Sequence, residues 1–111
     1  MKHSEIFVYG KDAAKVDMLP GIYRKTLAYS ESMMVCEVHL AKGAVLPAHQ
    51  HVHEQTSNII SGTIRYTVGD ETRIVGAGDS VLLLSNVPQS VEVLEEAVVM
   101  DIFSPLREEY I

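Results

Sequence analysis

The chain lacks tryptophan, has two phenylalanines, and carries a single cysteine among its 111 residues. One cysteine excludes an intrachain disulfide, so the fold must be held by buried apolar surface. A chain of this length supports one such core without staples. The cysteine usage favours a reducing compartment, and a cytoplasmic protein is expected. Cys36 itself lies in an apolar run and is expected to be a buried, inert thiol. No run approaches the roughly 18 apolar residues of a membrane-spanning helix. The opening MKHSEIFVYG lacks the apolar stretch of a signal peptide. Positive charge is also scarce: 9 Lys and Arg stand against 15 Asp and Glu, giving a net charge of −6. With no basic cluster to offset it, that balance excludes a general nucleic-acid or anionic-membrane surface, though not a local positive pocket. Repeats, linkers and low-complexity tracts are absent too. A single domain over residues 1–111 is expected.

What is present is strand character. EIFVY (5–9), GIYRKTLAYS (21–30) and SMMVCEVHLA (32–41) are rich in β-branched and aromatic residues. They are followed by TSNIIS (56–61), TIRYTV (63–68), ETRIV (71–75), SVLLLS (80–85), SVEVL (90–94) and AVVMDIF (97–103). Turn formers separate them: Ser61-Gly62, Gly69-Asp70, Gly76-Ala77-Gly78-Asp79, Ser85-Asn86-Val87-Pro88 and Glu95-Glu96. Gly69-Asp70 reads as a tight hairpin. KDAAKVDML (11–19) reads as a short helix cut off by Pro20-Gly21. Short, evenly spaced strands favour an all-β sandwich or barrel over a βαβ fold. Met33 and Met34 are expected in the core or on a pocket wall. Tyr23, Tyr29 and Tyr66 read as half-buried strand residues, with Tyr66 at a pocket edge. His39 alternates with Glu37 on an exposed face. Gly76-Ala77-Gly78 is a turn and not a phosphate loop, because no helix follows it.

Three of the five histidines fall within HQHVHEQ, at His49, His51 and His53. Alternate side chains of a strand share a face and stand about 6.6 Å apart, close enough for two imidazoles to meet one ion. Spacing alone leaves two readings open: a metal-binding face, and an edge strand with solvated histidines.

The surrounding residues are more specific. Gly43, His49, His51, Gln55 and Gly62 stand at the spacing of the first motif of the cupin superfamily, which this stretch resembles. That motif usually carries Glu where Gln55 stands. Gly69-Asp70, Gly76-Ala77-Gly78-Asp79 and Asn86-Val87-Pro88-Gln89 resemble the second motif, with Gly76 in place of the usual Pro and Gln89 in place of the usual His. The resemblance implies a double-stranded β-helix, the jelly-roll barrel. It further implies that His49, His51, Gln55 and Gln89 converge in the barrel mouth as ligands of a divalent transition metal, with Ni, Zn, Mn, Fe and Cu all compatible with imidazole. Two amides replace a carboxylate and an imidazole, so weaker binding and a preference for anionic ligands follow. His53 is expected to support or rim the site.

His53-Glu54-Gln55, Gly69-Asp70-Glu71-Thr72-Arg73, Ser85-Asn86-Val87-Pro88 and Asp101-Ile102-Phe103-Ser104-Pro105-Leu106-Arg107-Glu108 are similar to the pectin-degradation cupins. Those proteins open cyclic 4,5-unsaturated uronates to linear keto-uronates, and Gln serves them as a ligand at the Gln55 position. The resemblance implies Asp101 as general acid/base, Phe103 as substrate wall and Arg107 as the group that grips the uronate carboxylate. Read without it, Asp101 is a solvated strand residue, Phe103 is core, and Arg107 pairs with Glu108 or Glu109 at the surface. Metal-dependent ring opening of an unsaturated uronate is thus the expected function. A non-catalytic module that binds a sugar acid or another small anion is the first alternative, and a metal-dependent oxygenase the second. A homodimer is expected, formed by residues 5–9 pairing with a neighbouring sheet.

Overall fold

The computed structural model describes residues 2–111. Eight strands follow a 3-10 turn at Gly10–Asp12: β1 (Val16–Leu19), β2 (Ile22–Tyr29), β3 (Met34–Leu40), β4 (Val45–His49), β5 (Glu54–Val68), β6 (Glu71–Gly76), β7 (Ser80–Leu83) and β8 (Gln89–Ser104); a second 3-10 turn spans Glu108–Tyr110. The strand order is β1-β2-β3-β8-β5-β6, with β4 on β8 and β7 on β5. All pairings are antiparallel.

Two long strands, β5 and β8, run the whole length of the barrel and divide their partners between two layers. The second half of β8 pairs with β3 and the first half with β4. The first half of β5 pairs with β7 and the second half with β6. Both strands change layer at a cluster of bulges between Ile59 and Ile64. Bulges bend and twist a strand without ending it. For that reason residues 56–61 and 63–68 are one strand and not two, and so are residues 90–94 and 97–103. Gly62, at φ 89°, sits at the bend with its α-carbon against the Glu96–Ala97 backbone.

The apolar alternation in β3 places Met34, Cys36, Val38 and Leu40 on the inner face. Their partners across β8 are Phe103, Asp101, Val99 and Ala97. With Ile22, Ile59, Ile64, Leu83, Val91 and Val93 these residues make the core between the layers. Cys36 is fully buried, and burial pushes its thiol up to about 11, in keeping with an inert side chain. Met34 is fully buried, but its neighbour Met33 faces outward, since adjacent strand positions alternate. The Gly69-Asp70 hairpin joins β5 to β6 as expected.

Three local expectations are corrected. Residues 11–19 form no helix: Val16 and Asp17 instead pair with Arg24 and Tyr23, and only a 3-10 turn precedes them. Residues 5–9 form no strand within this chain: a Ser4 N–H bond to the Tyr29 carbonyl oxygen holds the arm to the edge of β2, but no ladder continues from it. The histidine stretch is not one strand either. β4 ends at His49, residues 50–53 form a connection, and β5 begins at Glu54.

Candidate functional site

A cavity of about 140 Å³ opens between the layers. Its apolar lining includes Ile22, Val38, Leu40, Ile64, Val91 and Val99. Its polar lining includes His49, Gln55, Ser57, Tyr66, Gln89, Asp101 and Arg107. The register explains this gathering. His49, the last residue of β4, stands opposite Gln89, the first of β8. Further along β8, Asp101 and Phe103 face Ser57 and Gln55 on β5. Gln55, Ser57 and Gln89 are buried polar residues, so each must be satisfied inside the protein.

His51 ties the polar groups together although it is not on a strand. Its Nδ1–H donates to the His53 carbonyl oxygen at 2.8 Å, and the Nδ1–H of His49 donates to the Pro47 carbonyl oxygen at 3.0 Å. A ring N–H engaged by a backbone carbonyl leaves the lone pair on Nε2, the tautomer that ligates metals. Partial burial and then the Arg107 charge hold His51 below its ordinary pKa, which favours the neutral ring. His51 Nε2 lies 3.0 Å from Gln55 Oε1 and 3.1 Å from Gln89 Nε2. The Gln89 amide can donate to that lone pair, but Gln55 Oε1 meets it acceptor to acceptor. Two donors at about 2.1 Å from one ion and at right angles stand about 3.0 Å apart, so the His51–Gln55 spacing suits a shared divalent cation. Gln89 presents its NH2 to this point, while its Oε1 accepts from the Tyr66 hydroxyl at 3.4 Å. Its oxygen reaches the shared point only if the amide turns. No cluster of three or more His, Cys, Asp or Glu suited to a metal occurs among the described residues, which leaves histidine and amide as the available donors. His53 contributes through its carbonyl, and its own Nδ1 is buried without a partner.

Asp101 is half-buried and its remaining surface lines the cavity. Its Oδ1 has no hydrogen-bond partner. Burial pushes its carboxyl up to about 6, while Gln55, Ser57 and the Arg107 charge act in the opposite direction. The group is therefore poised to carry or release a proton near neutrality. Phe103 packs beneath, its ring edge-on to His51 at a centroid distance of 5.9 Å. Arg107 is not the surface ion pair its acidic neighbours suggest. It does pair with Glu109, Nε to Oε1 at 2.7 Å, but its side chain is 16% exposed, packs on Phe103 and Tyr110, and lines the cavity.

All seven residues singled out from the sequence thus lie in one region of the barrel. Ser57 was missed, although it is two residues from Gln55 and so on the same strand face, a period-2 signal that was available. Tyr110 was also missed, and its place depends on a C-terminal turn with no signature in the sequence.

Comparison with known proteins agrees with this fold. The cupin domain family matches residues 36–103. The pectin degradation protein KdgF of Dickeya dadantii (strain 3937) is 36% identical over 93 residues, covering 82% of this chain and 84% of that protein. Among solved structures, an RmlC-like cupin from Shewanella frigidimarina NCIMB 400 superposes with a TM-score of 0.95 at 28% identity, over the whole of both chains. KdgF from Halomonas sp. superposes with a TM-score of 0.91 at 28% identity, covering 97% of this chain and all of that one. With the barrel, the motif positions and these similarities in agreement, the chain belongs to the cupin family and stands within it among the pectin-degradation cupins.

Proposed function

We propose that this cupin opens the ring of a 4,5-unsaturated uronate monosaccharide to the linear keto-uronate, a step in pectin or alginate breakdown. The observation that carries the reading is that a half-buried, proton-poised carboxyl (Asp101) and a packed guanidinium (Arg107) line the same cavity. Similarity to a pectin degradation protein supports the substrate class.

His49, His51 and Gln55 would hold a divalent transition metal, such as Ni, Zn, Mn or Fe, with Gln89 beside them presenting its NH2. Such an ion, when bound, polarises the oxygens of the sugar. Arg107 binds the carboxylate through its terminal nitrogens, since Nε is committed to Glu109. Phe103 walls the ring. In the reaction the C1 hydroxyl loses its proton, the bond from C1 to the ring oxygen breaks, and C1 becomes an aldehyde. The ring oxygen keeps the electron pair as an enol oxygen on C5. A proton then arrives at C4 and the enol becomes the C5 ketone, with no net gain or loss of atoms. Asp101 is the group placed to take the first proton and return one. The barrier is intrinsically low, so positioning with acid/base assistance is sufficient.

Decay of the ultraviolet absorbance of 4,5-unsaturated galacturonate, with and without added metal, tests the proposal. The native chain should accelerate decay over the spontaneous rate, and Asp101→Ala should lower that acceleration about 100-fold or more. A spontaneous rate in the presence of metal-loaded protein would refute it. A second reading, a binding module for a small sugar acid, is favoured by the Gln89 amide that faces the His51 lone pair. Tight binding of the uronate without turnover would select it.

The proposed setting is cytoplasmic, in line with the lone, buried, free Cys36. The proposed assembly is a homodimer built through the N-terminal arm.

A further inference from the structure

Two guanidinium groups share one aromatic ring beside the cavity. The guanidinium carbons of Arg24 and Arg107 lie 4.0 Å and 4.2 Å from the centroid of Tyr110. Like charges repel, and two things offset their convergence: Glu109, whose carboxylate pairs with Arg107 and whose carbonyl oxygen accepts from Arg24 at 3.5 Å, and the face of the aromatic ring.

Tyr110 is itself fixed to the barrel wall. Its carbonyl oxygen accepts from Thr26 Oγ1 at 2.5 Å, its N–H donates to the Arg107 carbonyl oxygen at 2.9 Å, and its ring meets Phe103 edge-on at 5.8 Å. Thr26 and Arg24 both belong to β2, so the C-terminal turn is tied to a strand and not left to move alone. Arg107 is in turn restrained by the Tyr110 ring, by Phe103 at 5.3 Å and by Glu109 on Nε at 2.7 Å. No hydrogen bond reaches its terminal nitrogens among the described residues, although the side chain lines the cavity. A loose arginine loses rotamer freedom when it grips a ligand, whereas one already held loses less.

We propose that Tyr110 is a positioning residue for carboxylate binding: its ring is the shelf that holds the Arg107 guanidinium with its terminal nitrogens available to the cavity. The inference rests on Arg107 being the carboxylate grip of the proposed function.

Arginine Nε–H NMR on the full chain, combined with kinetics on 4,5-unsaturated galacturonate, tests it. The Arg107 signal, assigned by its loss in Arg107→Lys, should be sharp and shifted by the Tyr110 ring current. It should persist in Tyr110→Phe and broaden in Tyr110→Leu. KM should rise about tenfold in Tyr110→Leu with kcat within about twofold, and Tyr110→Phe should restore both. Tyr110→Met serves as the flexible replacement if the leucine chain does not fold. An unchanged signal and KM in the leucine or methionine chain overturn the proposal, as does a phenylalanine chain that fails equally. If the native chain does not turn the uronate over, the uronate reading falls, while the Arg107 signal still decides whether Tyr110 fixes that side chain.

Discussion

At His51 a single lone pair faces two amides. Its Nδ1–H is spent on the His53 carbonyl, so Nε2 can accept only one hydrogen bond. Gln89 supplies that donor, which leaves Gln55 Oε1 as a second acceptor aimed at the same point. Turning either amide only exchanges one mismatch for another. An imidazole at position 89 would instead add a third nitrogen donor beside His49 and His51. Gln89→His should therefore bind Ni or Zn about tenfold or more tighter in a calorimetric titration, the scale on which donors near a metal act. Gln89→Leu should change the affinity far less, because the amide presents nitrogen to the site as it stands. A loss in Gln89→Leu as large as the gain in Gln89→His would show that the Gln89 oxygen ligates. That position was legible in the sequence from motif spacing. The direction of its amide was not, because it is set by Tyr66 and His51, which lie 23 and 38 residues away.

Elements are held in place by the bend in β5. At Gly62 the φ angle is 89°, and a β-carbon there would lie 2.2 Å from the Glu96 carbonyl oxygen and 2.6 Å from the Ala97 α-carbon. Gly78 has nearly the same φ, 91°, with nothing within 4 Å of its virtual β-carbon. The pair separates backbone strain from steric overlap. Gly78→Ala should cost about 1–2 kcal/mol, the strain alone. Gly62→Ala should cost more than about 3 kcal/mol, because the β8 backbone must move as well. Urea unfolding of the two variants checks this, and equal midpoints would show that the bend relaxes freely. The same bend marks the limit of reading strands from sequence. Ser61-Gly62 and Glu95-Glu96 look like turns, yet Thr63 pairs with Glu95 and the ladder passes through. Local residue preference identifies where a strand bends, but only the partner strand decides whether it stops. Alternation, by contrast, was fully legible in β3, where every second residue is buried. The histidine stretch shows the opposite case: its period of 2 suggested a strand, and the convergence of His49, His51 and Gln55 comes from a turn between two strands.

Across the whole molecule, charge and apolar surface are unevenly placed. The chain is acidic overall, at −6, while Arg24 and Arg107 are stacked on the one ring of Tyr110, with Arg107 lining the cavity. An anionic ligand is thus drawn by local positive charge against an unfavourable global field. The N-terminal arm is the other uneven feature. It is anchored by a Ser4 N–H bond to the Tyr29 carbonyl oxygen at 2.9 Å, and beyond that point Ile6 and Phe7 are 81% and 78% exposed. Nearby, the outer face of the sheet leaves Met33, Ile102 and Leu82 accessible. Val35, Ile102, Thr56 and Leu82 lie in one row across β3, β8, β5 and β7. An arm whose apolar residues find no cover in their own chain, beside a sheet with an apolar outer row, has the character of a self-complementary surface. A second copy would cover both features in one symmetric contact. Sedimentation at micromolar concentration should give twice the chain mass, and Ile6→Glu combined with Phe7→Glu should give a folded monomer whose melting temperature no longer depends on concentration. A native chain that sediments as a monomer would remove the dimer, and a double variant that stays dimeric would place the interface away from the arm.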